Sequence, residues 1–216
     1  MNSRSFTMRF LGPLAILVMT FLVPTGLVLA EDGTQSLGGI EAKTWVLGAR
    51  AGFAVPTQTL SNDFRSSIDI GPLVNFQALY SFNTWLLGGI MVEWERHGVD
   101  RERPYADLGH QDTVSVLPTV EVRPVKLGSF VPYANMSFGV NVNSFGESGR
   151  RVISPSNTFA WRIGWGLDYM LNRQVAVNAE WAYKRNDGHA HWNGDRVDDW
   201  NASSFGFLFG VKAFFN

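Results

Sequence analysis

The chain has no cysteine among its 216 residues. A disulfide scaffold, a thiol nucleophile and a cysteine-held metal are excluded. Charge is scarce as well, at 17% of residues against about 25% in an ordinary soluble globule. The formal net charge of −1 supplies no basic surface for a phosphate backbone, so nucleic acid is not an expected partner. After residue 30 no uncharged apolar run approaches the ~18 residues of a membrane-spanning helix, and no apolar stripe at helical spacing appears. What the chain has instead is aromatic and small: 13% aromatic residues, with 8 Trp and 16 Phe, and 22 Gly. That aromatic content is incompatible with disorder, and the length suits one domain.

The first thirty residues read as an address. Arg4 and Arg9 precede an uncharged apolar run over 10–30 that ends on Ala30 before Glu31 and Asp32. A basic start, a greasy middle and a small residue at the cut make a secretory signal peptide. Pro13, Pro24 and Gly26 weaken the competing reading, a retained anchor helix. Cleavage leaves 186 residues with a net charge of −3. Residues 31–43 read as a short polar lead-in on the periplasmic side, and 44–216 as the folded domain.

The rest of the chain alternates with period two, the mark of strands with two unlike faces. Eight such stretches occur: 44–56, 69–82, 86–97, 112–123, 131–143, 158–169, 175–185 and 203–215. Soluble strands are usually about 5–6 residues long, whereas transmembrane strands need about 9–11. The connections sort by length. Those after the second, fourth and sixth strands are short. Those after the first, third, fifth and seventh (57–68, 98–111, 144–157 and 186–202) are long. An even number of long strands, with short turns at one end and long loops at the other, predicts an all-β, eight-stranded, antiparallel, up-and-down transmembrane β-barrel of the outer membrane.

With the apolar parity turned to lipid, the other parity carries Arg50, Arg123, Arg162, Lys184 and Lys212 beside Glu93, Glu95, Glu121, Asp168 and Glu180. An eight-stranded barrel is only wide enough for its own side chains. The balanced set therefore predicts a salt-bridged plug rather than an ion path. Gly48, Gly52 and Gly139 on the same face are expected to make room for the Arg and Glu side chains. On the lipid face Trp45, Tyr80, Tyr169 and Phe215 fall at the short-turn end. Phe53, Trp94, Phe159, Tyr183 and Phe205 fall at the other, with smaller aliphatics expected between these two aromatic girdles.

Residues 132–140, the run Gly164-Trp165-Gly166-Leu167-Asp168-Tyr169-Met170-Leu171, and 176–183 with Glu180-Trp181 resemble the fifth to seventh strands of small OmpA-type outer-membrane barrels. That superfamily includes OmpW-like and opacity-type proteins. The resemblance implies contact with outer-membrane lipid and lipopolysaccharide. It also implies that the barrel-assembly machinery reads the C-terminal strand, whose alternation ends at Phe215 with Asn216 last.

Chemistry is thin. His189 and His191 lie in the last long connection with Asp187, Asp195, Asp198 and Asp199. They are weak candidates for a metal, and a polar surface loop is the blander reading. His189, Asp187 and Ser203 form no catalytic motif, so no enzyme and no cofactor are expected. Residues 97–103 are a charged cluster at the start of the second long connection, whose basic members could meet lipopolysaccharide phosphates. Three functions compete: envelope structure or surface interaction through four outer loops, a narrow conduit for small or hydrophobic solutes as the OmpW-like resemblance implies, and lipid modification. The charged lumen favours the first.

Overall fold

β-branched and aromatic residues at every second position favour extended chain, and twelve strands form among the described residues. They are β1 (Trp45–Pro56), β2 (Ser66–Ile68), β3 (Gly71–Ser81), β4 (Leu86–Glu102), β5 (Tyr105–Val122), β6 (Phe130–Glu147), β7 (Ile153–Pro155), β8 (Thr158–Met170), β9 (Val175–Arg185), β10 (Asp187–Trp192), β11 (Asp195–Asn201) and β12 (Ser204–Phe215). The structure, a computed structural model, describes residues 40–58, 60, 66–102, 105–147, 153–192 and 195–215. The expected signal peptide, most of the lead-in, Arg103 and Asn216 lie outside the described residues, as do the side chains of Arg101, Glu102, Asp195, Asp198 and Asp199.

Eight strands close a barrel in the order β1-β3-β4-β5-β6-β8-β9-β12, each antiparallel to its neighbours. Closure comes from β1 on β12, in register from Trp45 opposite Phe215 to Pro56 opposite Ser204. Every strand edge in the barrel wall is thus paired, as hydrocarbon requires. Two of the three short turns use one device. Asn83 Oδ1 accepts from the backbone N–H of Trp85 and Leu86 at 2.9 and 2.8 Å. Asn172 Oδ1 accepts from those of Gln174 and Val175 at 2.7 and 2.9 Å. Both are Asx turns, in which a side chain replaces a missing backbone acceptor. The third turn contains Gly128 at φ 63°, a left-handed conformation that glycine adopts without steric cost.

The long connections are not loops throughout, which corrects the sequence reading. β4 and β5 continue past residues 97 and 112 to Glu102 and Tyr105, with one irregularity at Val99/Asp100. β2 adds to β4, and β11-β10-β7 form a separate three-stranded sheet. The apolar parity inverts along these extensions. On β4, Val92 faces out and Glu93 and Glu95 face in, yet beyond them Arg96 faces out and Val99 is buried. Val99 packs with Leu60, Leu108, Ile153, Ala190, Trp200 and Ala202 in an apolar cluster. Inversion is what a strand shows when the medium outside it changes from hydrocarbon to water. A matching cluster of Ile40, Val46, Leu79, Leu87, Ala176 and Phe214 lies inside the short-turn end.

Candidate functional site

The lumen holds all ten charged residues expected there, each at most 4% exposed. They form two groups. Towards the short turns, Arg123 Nη2 meets Glu121 Oε1 at 2.6 Å and Asp168 Oδ2 at 2.8 Å. Lys212 Nζ reaches the same two carboxylates at 3.2 and 3.3 Å. Towards the long connections, Arg162 lies 2.5 Å from Glu180 and 3.1 Å from Glu93. Lys184 lies 3.0 Å from Glu93 and 2.9 Å from Glu95, and Arg50 pairs with Glu180. Each group has as many cations as anions. Such equality is what allows full charge to persist out of water, where an unpaired ion would be very unfavourable.

Neutral side chains complete the arrangement, and the charge pattern alone had not singled them out. The Tyr133 hydroxyl donates to Glu180 at 2.8 Å and accepts from Asn178 Nδ2 at 2.8 Å. Asn178 also donates to Asp168 at 2.5 Å, so Tyr133 and Asn178 join the two groups. Asn75 and Gln77 accept from Arg50 Nη2 at 2.6 and 2.8 Å. Ser204 donates to Glu95 at 3.0 Å. Their lumenal parity was the available signal. Tyr133 can lie flat across the wall because position 166 is glycine: a Cβ there would fall 2.2 Å from the ring. The other glycines serve differently from expectation. The space beside Gly48 is filled by Gln77, and that beside Gly52 and Gly139 by neighbouring backbone, not by Arg or Glu.

Above the charges lies an uncharged polar layer in which Asn186 accepts from Thr158 at 2.7 Å and donates to Asn143 at 2.8 Å. His97, expected at the start of a loop, is a lumenal strand residue. Its Nδ1 lies 2.7 Å from the Asp69 carbonyl and its Nε2 3.8 Å from Glu95.

On the outer surface of the barrel Trp45 and Tyr80 meet at 5.2 Å between ring centroids, and Tyr169 meets Phe130 at 5.0 Å. Phe82, Trp85 and Phe130 join Trp45, Tyr169 and Phe215 as exposed rings at the short-turn end. At the other end Tyr183 meets Phe205 at 5.2 Å, and Phe159 stacks on Phe138 at 6.4 Å. Trp94 donates to Asp112 at 3.1 Å beneath the Arg96 guanidinium. The expectation of aliphatics alone between the girdles fails on one side. Phe53, Phe207, Trp181 and Trp165 sit in register across four adjacent strands and run obliquely between the ends. Tilted strands turn a register row into a diagonal, so aromatics on different strands need not share a depth.

The loop candidates are not gathered into a centre. The His189 and His191 rings lie 5.8 Å apart, edge on, and no described group of three His, Asp or Glu is placed to hold a metal. Ser203 Oγ accepts from the Asn186 N–H at 3.0 Å, and among the described residues it shares no hydrogen bond with His189. Asp187 pairs instead with Arg185 at 2.5 and 2.7 Å. The Arg185 guanidinium holds its carboxyl below the ordinary carboxylate range.

Among the described residues no helix is long and apolar enough to cross a membrane. A closed barrel with an apolar exterior, rims of aromatic rings and a paired polar interior is a membrane-spanning β-barrel, built to cross with strands. The chain belongs to the outer membrane protein beta-barrel domain family, whose model matches residues 34–212. Solved structures agree. The outer membrane protein OprG from Pseudomonas aeruginosa aligns at 15% identity and TM-score 0.67, covering 83% of this chain and 99% of OprG. Neisserial surface protein A aligns at 16% and 0.55, over 79% and 96%. Outer membrane protein AlkL, solved in lipid bilayers, aligns at 12% and 0.51, over 86% and 96%. These likenesses concern the fold. Comparison with curated proteins finds no match. The protein is an eight-stranded barrel of the bacterial outer membrane.

Proposed function

We propose that the protein acts in envelope structure or surface interaction, presenting its outer strand extensions and β10–β11 hairpin to the cell exterior above a closed lumen. The observation that carries this reading is the paired lumen: ten buried charges, bridged by Tyr133 and Asn178, occupy the interior that a conduit would need. The apolar cluster around Val99 and Trp200 ties the outer strands together, which suits a shaped recognition surface. In this reading the aromatic rims seat the barrel in outer-membrane lipid and lipopolysaccharide. The outward face of β12, with Phe209, Val211, Ala213 and Phe215, is what the assembly machinery reads. The test is single-channel recording of the purified protein in planar bilayers. No steady conductance is expected, and a steady open pore would replace this reading with the conduit for small solutes.

A further inference from the structure

The periplasmic mouth of the barrel opens into a basin of about 880 Å³, within the size range of sites that enclose small ligands. Its floor is apolar, formed by Ile40, Met170 and Phe214, and its rim is polar, with Ser129, Gln174, Lys126 and Arg173 among the lining residues. Lys126 stands on the β5–β6 turn and Arg173 on the β8–β9 turn. Neither has an ion-pair partner among the described residues. Lys126 and Arg173 share the basin's lining with one described acid, Glu41, so cations outnumber anions there two to one, and the remaining turn, Phe82-Asn83-Thr84-Trp85, carries no charge. Behind the floor Arg123 stacks 5.6 Å from the Phe214 ring, its charge already met by Glu121 and Asp168.

We propose that this basin docks an acidic periplasmic peptide segment. Its carboxylates would be received by the Arg173 fork and the Lys126 ammonium, its amides by Ser129 and Gln174, and its apolar side chains by Met170 and Phe214. The mixture of apolar floor and polar rim distinguishes a peptide from a lipid phosphate. Headgroups of the inner leaflet lie around the outside of the wall, at the level of Trp45 and Tyr169. The basin opens inside the wall, where Ile40 and Phe214 are buried. Charge focused in a concavity also raises the local concentration of an oppositely charged partner. This site lies at the opposite end of the barrel from the surface invoked above, so either reading can fail without the other.

The test uses the full protein in detergent micelles and a dye-labelled Glu-Leu-Asp-Leu tetrapeptide, followed by fluorescence polarisation. Binding should exceed that of the amide probe Gln-Leu-Asn-Leu by about tenfold or more and should weaken as salt rises. The double variant Lys126→Gln/Arg173→Gln should lose the preference while keeping heat-modifiable migration on gels. The charge-retaining pair Lys126→Arg/Arg173→Lys should keep it. Equal binding of the two probes, wild-type binding by the Gln pair, or loss of binding by the charge-retaining pair would each overturn the proposal.

Discussion

Tyr133 and Glu180, on strands β6 and β9, meet inside the barrel at 2.8 Å, and this bond is where the two lumenal charge groups join. Glu180 also takes Arg50 and Arg162, so it is the anion on which the outer group depends. Glu180→Gln leaves two guanidiniums facing a neutral amide. Removing one partner of a buried pair typically costs about 3–5 kcal/mol. Tyr133→Phe removes only a shared hydroxyl, at about 1–3 kcal/mol. Urea titration of folding into lipid vesicles should rank the two in that order. The double variant should fall short of the sum, because both act on one network. Additive losses would show that Tyr133 does not couple the groups.

Gly166 is the second point of leverage. Gly166→Ala would place a methyl 2.2 Å from the Tyr133 ring, and overpacking of this kind costs about 1–3 kcal/mol. Because the displaced ring carries the bridging hydroxyl, Gly166→Ala in a Tyr133→Phe background should cost less than in the wild type. The same urea titration reads the difference.

The inversion of parity on β4 predicts opposite tolerances a few residues apart. Val92→Arg puts a cation on the lipid face. On transmembrane barrels this costs about 2–4 kcal/mol near the midplane, so folding into vesicles should fall sharply. Arg96→Val, on the same outward face but beyond the inversion, should fold like the wild type, since exposed ion pairs such as Arg96–Asp112 contribute about 0–1 kcal/mol. Equal damage from both substitutions would place the membrane boundary elsewhere.

Asp187 offers a titration readout outside the membrane. Its carboxyl is held low first by the hydrogen bonds from Arg185. A group whose folded value is depressed stabilises the fold above its unfolded value and loses that contribution as pH falls through the folded one. The ordering of the β10 hairpin by this pair should therefore weaken only in acid. Carboxyl-carbon NMR should find Asp187 titrating below an ordinary aspartate, and Arg185→Gln should move it back up. An unchanged midpoint in Arg185→Gln would mean the pair is absent in solution.

Much of the barrel is legible because lipid and lumen impose opposite demands on alternate residues. Trp45, Val116, Phe138 and Val177 are exposed on the outer surface, and Arg50, Glu121, Arg162 and Lys212 are buried within, as period-two sorting predicts. The strand extensions escaped because the rule reverses there. Val99 points inward beside outward Arg96, and Leu108, on the apolar parity of β5, is buried at the register shift opposite Val99 and Asp100, so a search for apolar-out alternation stops at the water boundary and reads the remainder as loop.

The sequence by itself determined the number of barrel strands, the parity of each and the identity of the lumenal charges, since all three follow from the local alternation of one chain. Tertiary structure alone decided who meets whom. Lys184 on β9 reaches Glu93 and Glu95 on β4, and Lys212 on β12 reaches Glu121 on β5. None of these strand pairs are neighbours in the wall. Such partners are set by closure, strand tilt and stagger across a narrow lumen, and no local pattern along the chain encodes them.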